Sequence, residues 1–176
     1  KTKKRTISKA VYKPTQKLPT TIIQRGKANV RALEIVSKHE TLTPSQIKEV
    51  KQYTGFGGIS GANFNRFANE IGLKVNMPLY QPNENQARWE YYTPLLITYG
   101  TYNLLRPLRK FMHKDGSKIK AIEPSAGIGR FIDPFTKDKD VSWYGVDKDF
   151  LSYNILKRLY PDVTAINSSF EQFVTS

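Results

Sequence analysis

Residues 119–131 read IKAIEPSAGIGRF, and the reading of this stretch decides the fold. Ile119, Ala121 and Ile122 form a short apolar run that predicts a buried β-strand. Glu123, Pro124, Ser125, Ala126, Gly127, Ile128 and Gly129 follow as a tight turn, and Arg130 to Phe135 is expected to open a helix. Strand, glycine turn and helix start are the parts of a nucleotide-type α/β site. Glycine at 127 and 129 permits positive φ and leaves no Cβ in the way, so the backbone can approach a ligand closely. Free N–H groups at the helix start can seat a small anion. The competing reading is an ordinary loop, which two-glycine turns also close.

What the turn lacks narrows the ligand. A phosphate-gripping loop needs Gly-Lys-Ser/Thr after its spacer, and a dinucleotide fingerprint wants a third glycine where Ile132 stands. Neither is present. Glu123 at the strand end would repel a pyrophosphate, yet it suits a ligand carrying an amine or a sulfonium beside its carboxylate. S-adenosylmethionine is such a ligand.

Working outward, 176 residues with 39% hydrophobic content can bury one sizeable core, or a small domain with an appendage. There is no cysteine, so disulfides and thiolate metal sites are excluded, and His39 and His113 stand far apart without flanking ligand patterns. No metal site is expected. No apolar run reaches membrane-spanning length and no signal peptide opens the chain. It begins at Lys1 without a methionine, so its termini are expected to have been trimmed or cut from something longer. Lys and Arg number 28 against 15 Asp and Glu, a net charge of +13, and the first acid is Glu34. The basic residues before it include Lys3, Lys4, Arg5, Lys9 and Lys13, a density that fits phosphate contact on a nucleic acid, or else a solvated tail.

Residues 1–24, with Pro14 and Pro19 and little helical periodicity, read as an extended arm. Val30, Leu33, Ile35 and Val36 place a first helix from Arg25 to about His39. Thr43-Pro44-Ser45-Gln46 has the form of a capped start, with a second helix running to about Tyr53. The glycine-rich stretch 53–61 is either a flexible linker or a folded loop; Tyr53, Phe56 and Ile59 would be wasted in a linker, which favours a loop packed on the core. Phe64, Phe67, Ala68 and Ile71 mark a third helix closed by Gly72, and 77–82 reads as irregular. Asn85 to Glu90 suggests a short helix. Thr93 is expected to cap a long helix that starts at Pro94 and ends or kinks at Pro107. Val141 to Val146 is a second strand, Phe150 to Tyr160 a helix, and Val163 to Ile166 a third strand. The alternation implies parallel pairing.

With these pieces in order, the sequence resembles the amino-terminal half of an adenine-N6-specific DNA methyltransferase, of the large helicase-associated type found on bacterial phages, plasmids and conjugative elements. The blocks YTGFGGIS at 53–60, YYTP at 91–94 and IEPSAGIGRF at 122–131 carry the resemblance, with YGVDKD at 144–149 in support. It implies an α/β fold: a Rossmann-like methyltransferase sheet, of which only the first three strands are in the chain, preceded by a small helical region. The expected parts are a basic arm at 1–24, a helical region at 25–83 and the methyltransferase half at 84–176. By the same resemblance Tyr92, Thr93 and Pro94 hold the methionine end of S-adenosylmethionine. Pro124, Ser125, Ala126, Gly127 and Gly129 meet it in the turn, and Glu123 lies near its amine. Asp147, about 18 residues past the turn at a strand end, would take the ribose hydroxyls. Elementary chemistry supports that role, since a carboxylate facing a vicinal diol accepts two charge-assisted hydrogen bonds; the plain alternative is a strand-end turn aspartate. Ser169 and Phe170 stand where the family has an Asp-Phe pair beside the adenine, so stacking by Phe170 is implied while the acceptor for the amino group departs from the pattern.

One departure concerns the chemistry itself. The family's catalytic tetrapeptide, Asn or Asp followed by Pro-Pro and an aromatic, is absent from this sequence. No catalytic residue is therefore expected in the chain, which alone should be inactive: either the rest, the missing carboxy-terminal half of the same protein, was removed, or a partner chain supplies it. Ending after the third strand would also leave the first strand at an unpaired edge. The implied partner is double-stranded DNA, with neither metal nor membrane, in the bacterial cytoplasm. A second class of function stays open, a noncatalytic basic DNA-binding module on a methyltransferase-like fold.

Overall fold

Helix starts are written into the first half of the chain as small polar residues placed three positions ahead of an amide side chain. In the computed structural model, which describes residues 11–72, 82–112 and 117–175, Thr21, Thr43 and Asn83 form full capping boxes with Gln24, Gln46 and Gln86, and Ser60 caps a fourth helix. Each cap satisfies an orphan N–H and is worth about 1 kcal/mol. The helices are α1 (Ile22–Lys38), α2 (Pro44–Val50), α3 (Gly61–Glu70) and α4 (Glu84–Trp89). The expected arm thus ends earlier than residue 24, because the Thr21–Gln24 box starts α1 at Ile22. The second helix likewise stops at Val50, before Tyr53. Gly72 follows α3 in the left-handed conformation at φ 68°, one residue beyond the cap Ile71. The irregular segment expected at 77–82 lies outside the described residues except for Pro82.

Next come α5 (Leu95–Leu105), a 3-10 turn (Arg106–Leu108) and α6 (Arg109–Met112), so the break at Pro107 is where the missing N–H demands it. Thr93 does not cap α5. Pro94 occupies the cap with no side-chain bond, and the Thr93 carbonyl accepts from Arg130 Nη1 at 3.2 Å. Residues 11–20 carry no helix or strand, and Tyr12 is fastened to α5: its N–H donates to Asn103 Oδ1 at 3.0 Å and its carbonyl accepts from Asn103 Nδ2 at 2.8 Å.

The second half alternates β1 (Ile119–Glu123), a 3-10 turn (Asp133–Phe135), β2 (Val141–Asp147), α7 (Phe150–Leu159), β3 (Thr164–Asn167) and α8 (Phe170–Thr175). The three strands form a parallel sheet in the order β1-β2-β3, with Ala121 opposite Trp143 and Gly145 opposite Ala165. This α/β arrangement is compatible with a Rossmann-like fold, and β1 lies at an edge. Two expectations fail here. Ile122 is 48% exposed, because strand side chains alternate and its neighbours Ala121 and Glu123 take the covered face. Residues 130–135 make only turns and the 3-10 segment. In an α-helix opened at Arg130, the Pro134 ring would meet the carbonyl of residue 130.

One core serves both halves. Val30, Leu33 and Val36 of α1, Phe64 and Phe67 of α3, and Ile155 and Leu156 of α7 belong to it, all 0–1% exposed. Tyr53, Phe56 and Ile59 of the glycine-rich loop are fully buried in the same cluster, so this loop is a packed element. Each such side chain contributes roughly 1.5–3 kcal/mol by leaving water. Among the described residues no helix is long and apolar enough to cross a membrane, and no group of His, Cys, Asp or Glu could hold a metal.

Candidate functional site

Parallel strands that end side by side leave a crevice beyond their carboxyl ends. Here β1 delivers Glu123 and β2 delivers Asp147 to that place. The turn after β1 is tied to the end of β2: Gly127 N–H donates to Asp147 Oδ2 at 2.7 Å, and Ala126 N–H to the Val146 carbonyl at 3.0 Å. Asp147 Oδ1 accepts from the Asp149 N–H at 2.8 Å. Asp149 in turn caps α7 through the Ser152 N–H at 2.7 Å and accepts from Gln86 Nε2 at 3.1 Å.

Two distant segments close over this turn. Gly127 sits at φ 50°, and a Cβ there would overlap Tyr92 Cε1 and stand 3.0 Å from its Cδ1. The glycine expected to make room for a ligand makes room for the Tyr92 ring. The Tyr92 hydroxyl donates to Glu90 Oε1 at 2.9 Å and lies 2.8 Å from Ser152 Oγ. Glu90 also accepts from the Tyr53 hydroxyl at 3.1 Å and from the Phe56 N–H at 3.0 Å. Gly55, at φ 77°, is required where the loop meets residue 90: a Cβ there would be 2.6 Å from the Glu90 carbonyl oxygen. Arg130, 8% exposed, donates to the carbonyls of Thr93 and Tyr53 (3.2 and 2.9 Å) and holds its guanidinium carbon 5.3 Å from the Tyr92 ring centroid. It pins the glycine turn to both other blocks.

The result is a cleft of about 410 Å³. Of the residues expected in the site, Tyr92, Thr93, Glu123, Ser125, Ala126, Gly127 and Asp147 line it. Others do not. Pro94 caps α5, and Pro124 is an exposed turn residue. Gly129, at φ 85°, lies beneath the turn, where a Cβ would come within 2.7 Å of Leu156 and Tyr160. Ser169 Oγ accepts from the Gln172 N–H at 3.2 Å, and Phe170 is 40% exposed beside Phe173. Lys3, Lys4, Arg5 and Lys9 lie outside the described residues, while Lys13 is exposed on the segment before α1. A second hollow, about 530 Å³, opens around Trp143 and Pro161 near the beginning of β2. It faces away from the strand ends, where convergent loops build sites, and the smaller cleft is the candidate.

The sequence reading missed Gln86, Glu90, Arg130, Asp149 and Ser152, all on the cleft wall. Two signals were available: Glu90 directly precedes the YYTP block, and Asp149 is the second acid of YGVDKD. Burial sets the electrostatics. It raises Glu90 to about 7, against the partly offsetting Phe56 and Tyr92 hydrogen bonds. Glu123 and Asp147 are also raised by burial, although Glu123 accepts the Ser125 N–H and Asp147 those of Asp149 and Gly127. Arg130 is lowered by burial. Comparison with known proteins finds no matching family, no curated relative and no solved structure that matches.

Proposed function

We propose that this chain is the S-adenosylmethionine-binding portion of a DNA adenine-N6 methyltransferase, built on the first three strands of a Rossmann-like methyltransferase sheet. The observation that carries the reading is convergence. Segments 53–56, 90–93, 123–130 and 147–152, dispersed along the sequence, meet at one cleft beyond the strand ends through the hydrogen bonds given above.

The residues present fit such a ligand. Glu90, Glu123, Asp147 and Asp149 line the cleft with one cation, Arg130, whose terminal nitrogens face carbonyls. An anionic wall suits a sulfonium, an ammonium and a vicinal diol, and opposes a phosphate chain. The volume of about 410 Å³ lies within the roughly 300–1,000 Å³ of small-molecule sites. Bound, S-adenosylmethionine would supply an activated methyl group. Each Asp147 oxygen accepts one backbone N–H and keeps a lone pair for a ribose hydroxyl. Tyr92 and Thr93 wall the cleft opposite the turn, and Phe170 offers an exposed ring to stack at the same end of the sheet. Orientation of an adenine and its amino nitrogen falls to groups outside this sequence, since the Pro-Pro tetrapeptide is absent. The net charge of +13 supports attraction to DNA. That same charge is what favours the second reading, a basic DNA-binding module without cofactor chemistry.

Titration calorimetry separates the two. The parent chain binds S-adenosylmethionine, and Asp147→Ala weakens it at least about tenfold, the scale of one charge-assisted hydrogen bond; Asp147→Asn, which keeps an acceptor, loses less. Equal affinity of all three proteins removes Asp147 from the site. No binding by the parent removes the cofactor.

A further inference from the structure

We propose that Glu90 is the specificity-determining residue that recognises the cationic group of the cleft's ligand, an inference that rests on the cofactor reading above. Glu90 sits where segments 53–56 and 90–93 meet. Its Oε1 accepts the hydroxyls of Tyr53 and Tyr92, and Oε2 accepts the Phe56 N–H. A carboxylate has about four acceptor positions, so Oε2 keeps one open. Glu90 is among the residues that line the cleft.

All three of these donors are neutral. At the cap of α7, Asp149 adds negative charge, and the cleft wall contributes Glu123 and Asp147 with the same sign. Arg130, the cation among the described residues that line the cleft, turns its terminal nitrogens to the Tyr53 and Thr93 carbonyls. A buried carboxylate without a cationic partner is costly unless it takes up a proton. A ligand ammonium or sulfonium at the open position of Oε2 provides the missing charge. Glu123, the counter-ion that the sequence suggests, lines the same cleft from the end of β1.

Binding a cation to Glu90 must then expel its proton. With Glu90 titrating at about 7, roughly one-tenth of it is ionised at pH 6 and half at pH 7, so affinity rises about fivefold between them. A ligand α-amino group, titrating near about 7.7–8.0, stays charged over that interval. The sulfonium is charged throughout.

The test is calorimetric titration of the unmodified chain with S-adenosylmethionine at pH 6 and pH 7, in two buffers of different ionisation enthalpy, followed by Glu90→Gln and Glu123→Gln. The expected result is release of about half a proton per ligand at pH 7 and a pH dependence that Glu90→Gln abolishes and Glu123→Gln keeps. Binding by the parent with no proton released overturns the role of Glu90 without using any variant, and so does an unchanged pH dependence in a folded Glu90→Gln protein. Absence of binding by the parent at both pH values is a different failure, that of the cofactor reading itself.

Discussion

Replacing Gly127 with alanine tests whether the glycine turn and the YYTP block are one mechanical unit. At φ 50° an alanine is strained by about 1–2 kcal/mol. The new Cβ would overlap Tyr92 Cε1, so the ring must move. Moving it gives up the hydroxyl contacts to Glu90 and Ser152, of which the bond to the carboxylate alone is worth about 1.5–3 kcal/mol. The expected loss is therefore about 3–5 kcal/mol, a large share of the roughly 5–15 kcal/mol that holds a domain folded. Urea unfolding followed by circular dichroism measures it, and a double-mutant cycle assigns it. In a Tyr92→Leu background the ring is gone, so Gly127→Ala should cost only the backbone strain of about 1–2 kcal/mol. A penalty below about 1 kcal/mol in the parent, or an equal penalty in both backgrounds, would refute the idea that Tyr92 dictates glycine at 127.

Three further outcomes are expected. Glu90 titrates at about 7 in the folded chain against an ordinary value of 4.5; the folded state holds the extra proton between these values, so stability falls as pH rises from about 4.5 to 7. The drop is on the order of 3 kcal/mol, and urea midpoints at pH 5 and pH 8 should show it in the parent and not in Glu90→Gln. Removing residues 1–10 deletes Lys1, Lys3, Lys4, Arg5 and Lys9, which should shallow the salt dependence of DNA binding by about 0.9 for each cation that met a phosphate; an unchanged slope identifies a solvated tail. The chain alone should transfer no tritiated methyl group to unmethylated DNA even with excess cofactor, and measurable turnover would relocate the catalytic groups to this half.

Local chemistry made much of the fold legible. Thr43, Pro44 and Gln46 announce a helix start because capping is settled within four residues. The strands at 119, 141 and 164 announce themselves as apolar runs between turn signals, and Pro107 breaks its helix through a donor it lacks. The same locality explains the misses. Ile122 is as apolar as Ile119, and only the edge position of β1 and the face to which residue 122 turns leave it half exposed. Thr93 has the right residue type for a cap, but Arg130, 37 positions away, holds its carbonyl.

The site divides along the same line. Sequence by itself determined where a tight glycine turn falls and where an acid stands at a strand end, since glycine turns and strand termini are short-range features: Gly127 and Asp147 do meet, at 2.7 Å. Only the tertiary structure decided that Gly129 serves the packing against Leu156 and Tyr160, while Gly127 seats Tyr92. It also decided that Glu90 lies at the centre of the cleft's hydrogen bonds. A carboxylate's chemistry depends on what surrounds it, and Tyr53, Phe56 and Tyr92 surround Glu90 only once segments far apart in the chain have packed into one core.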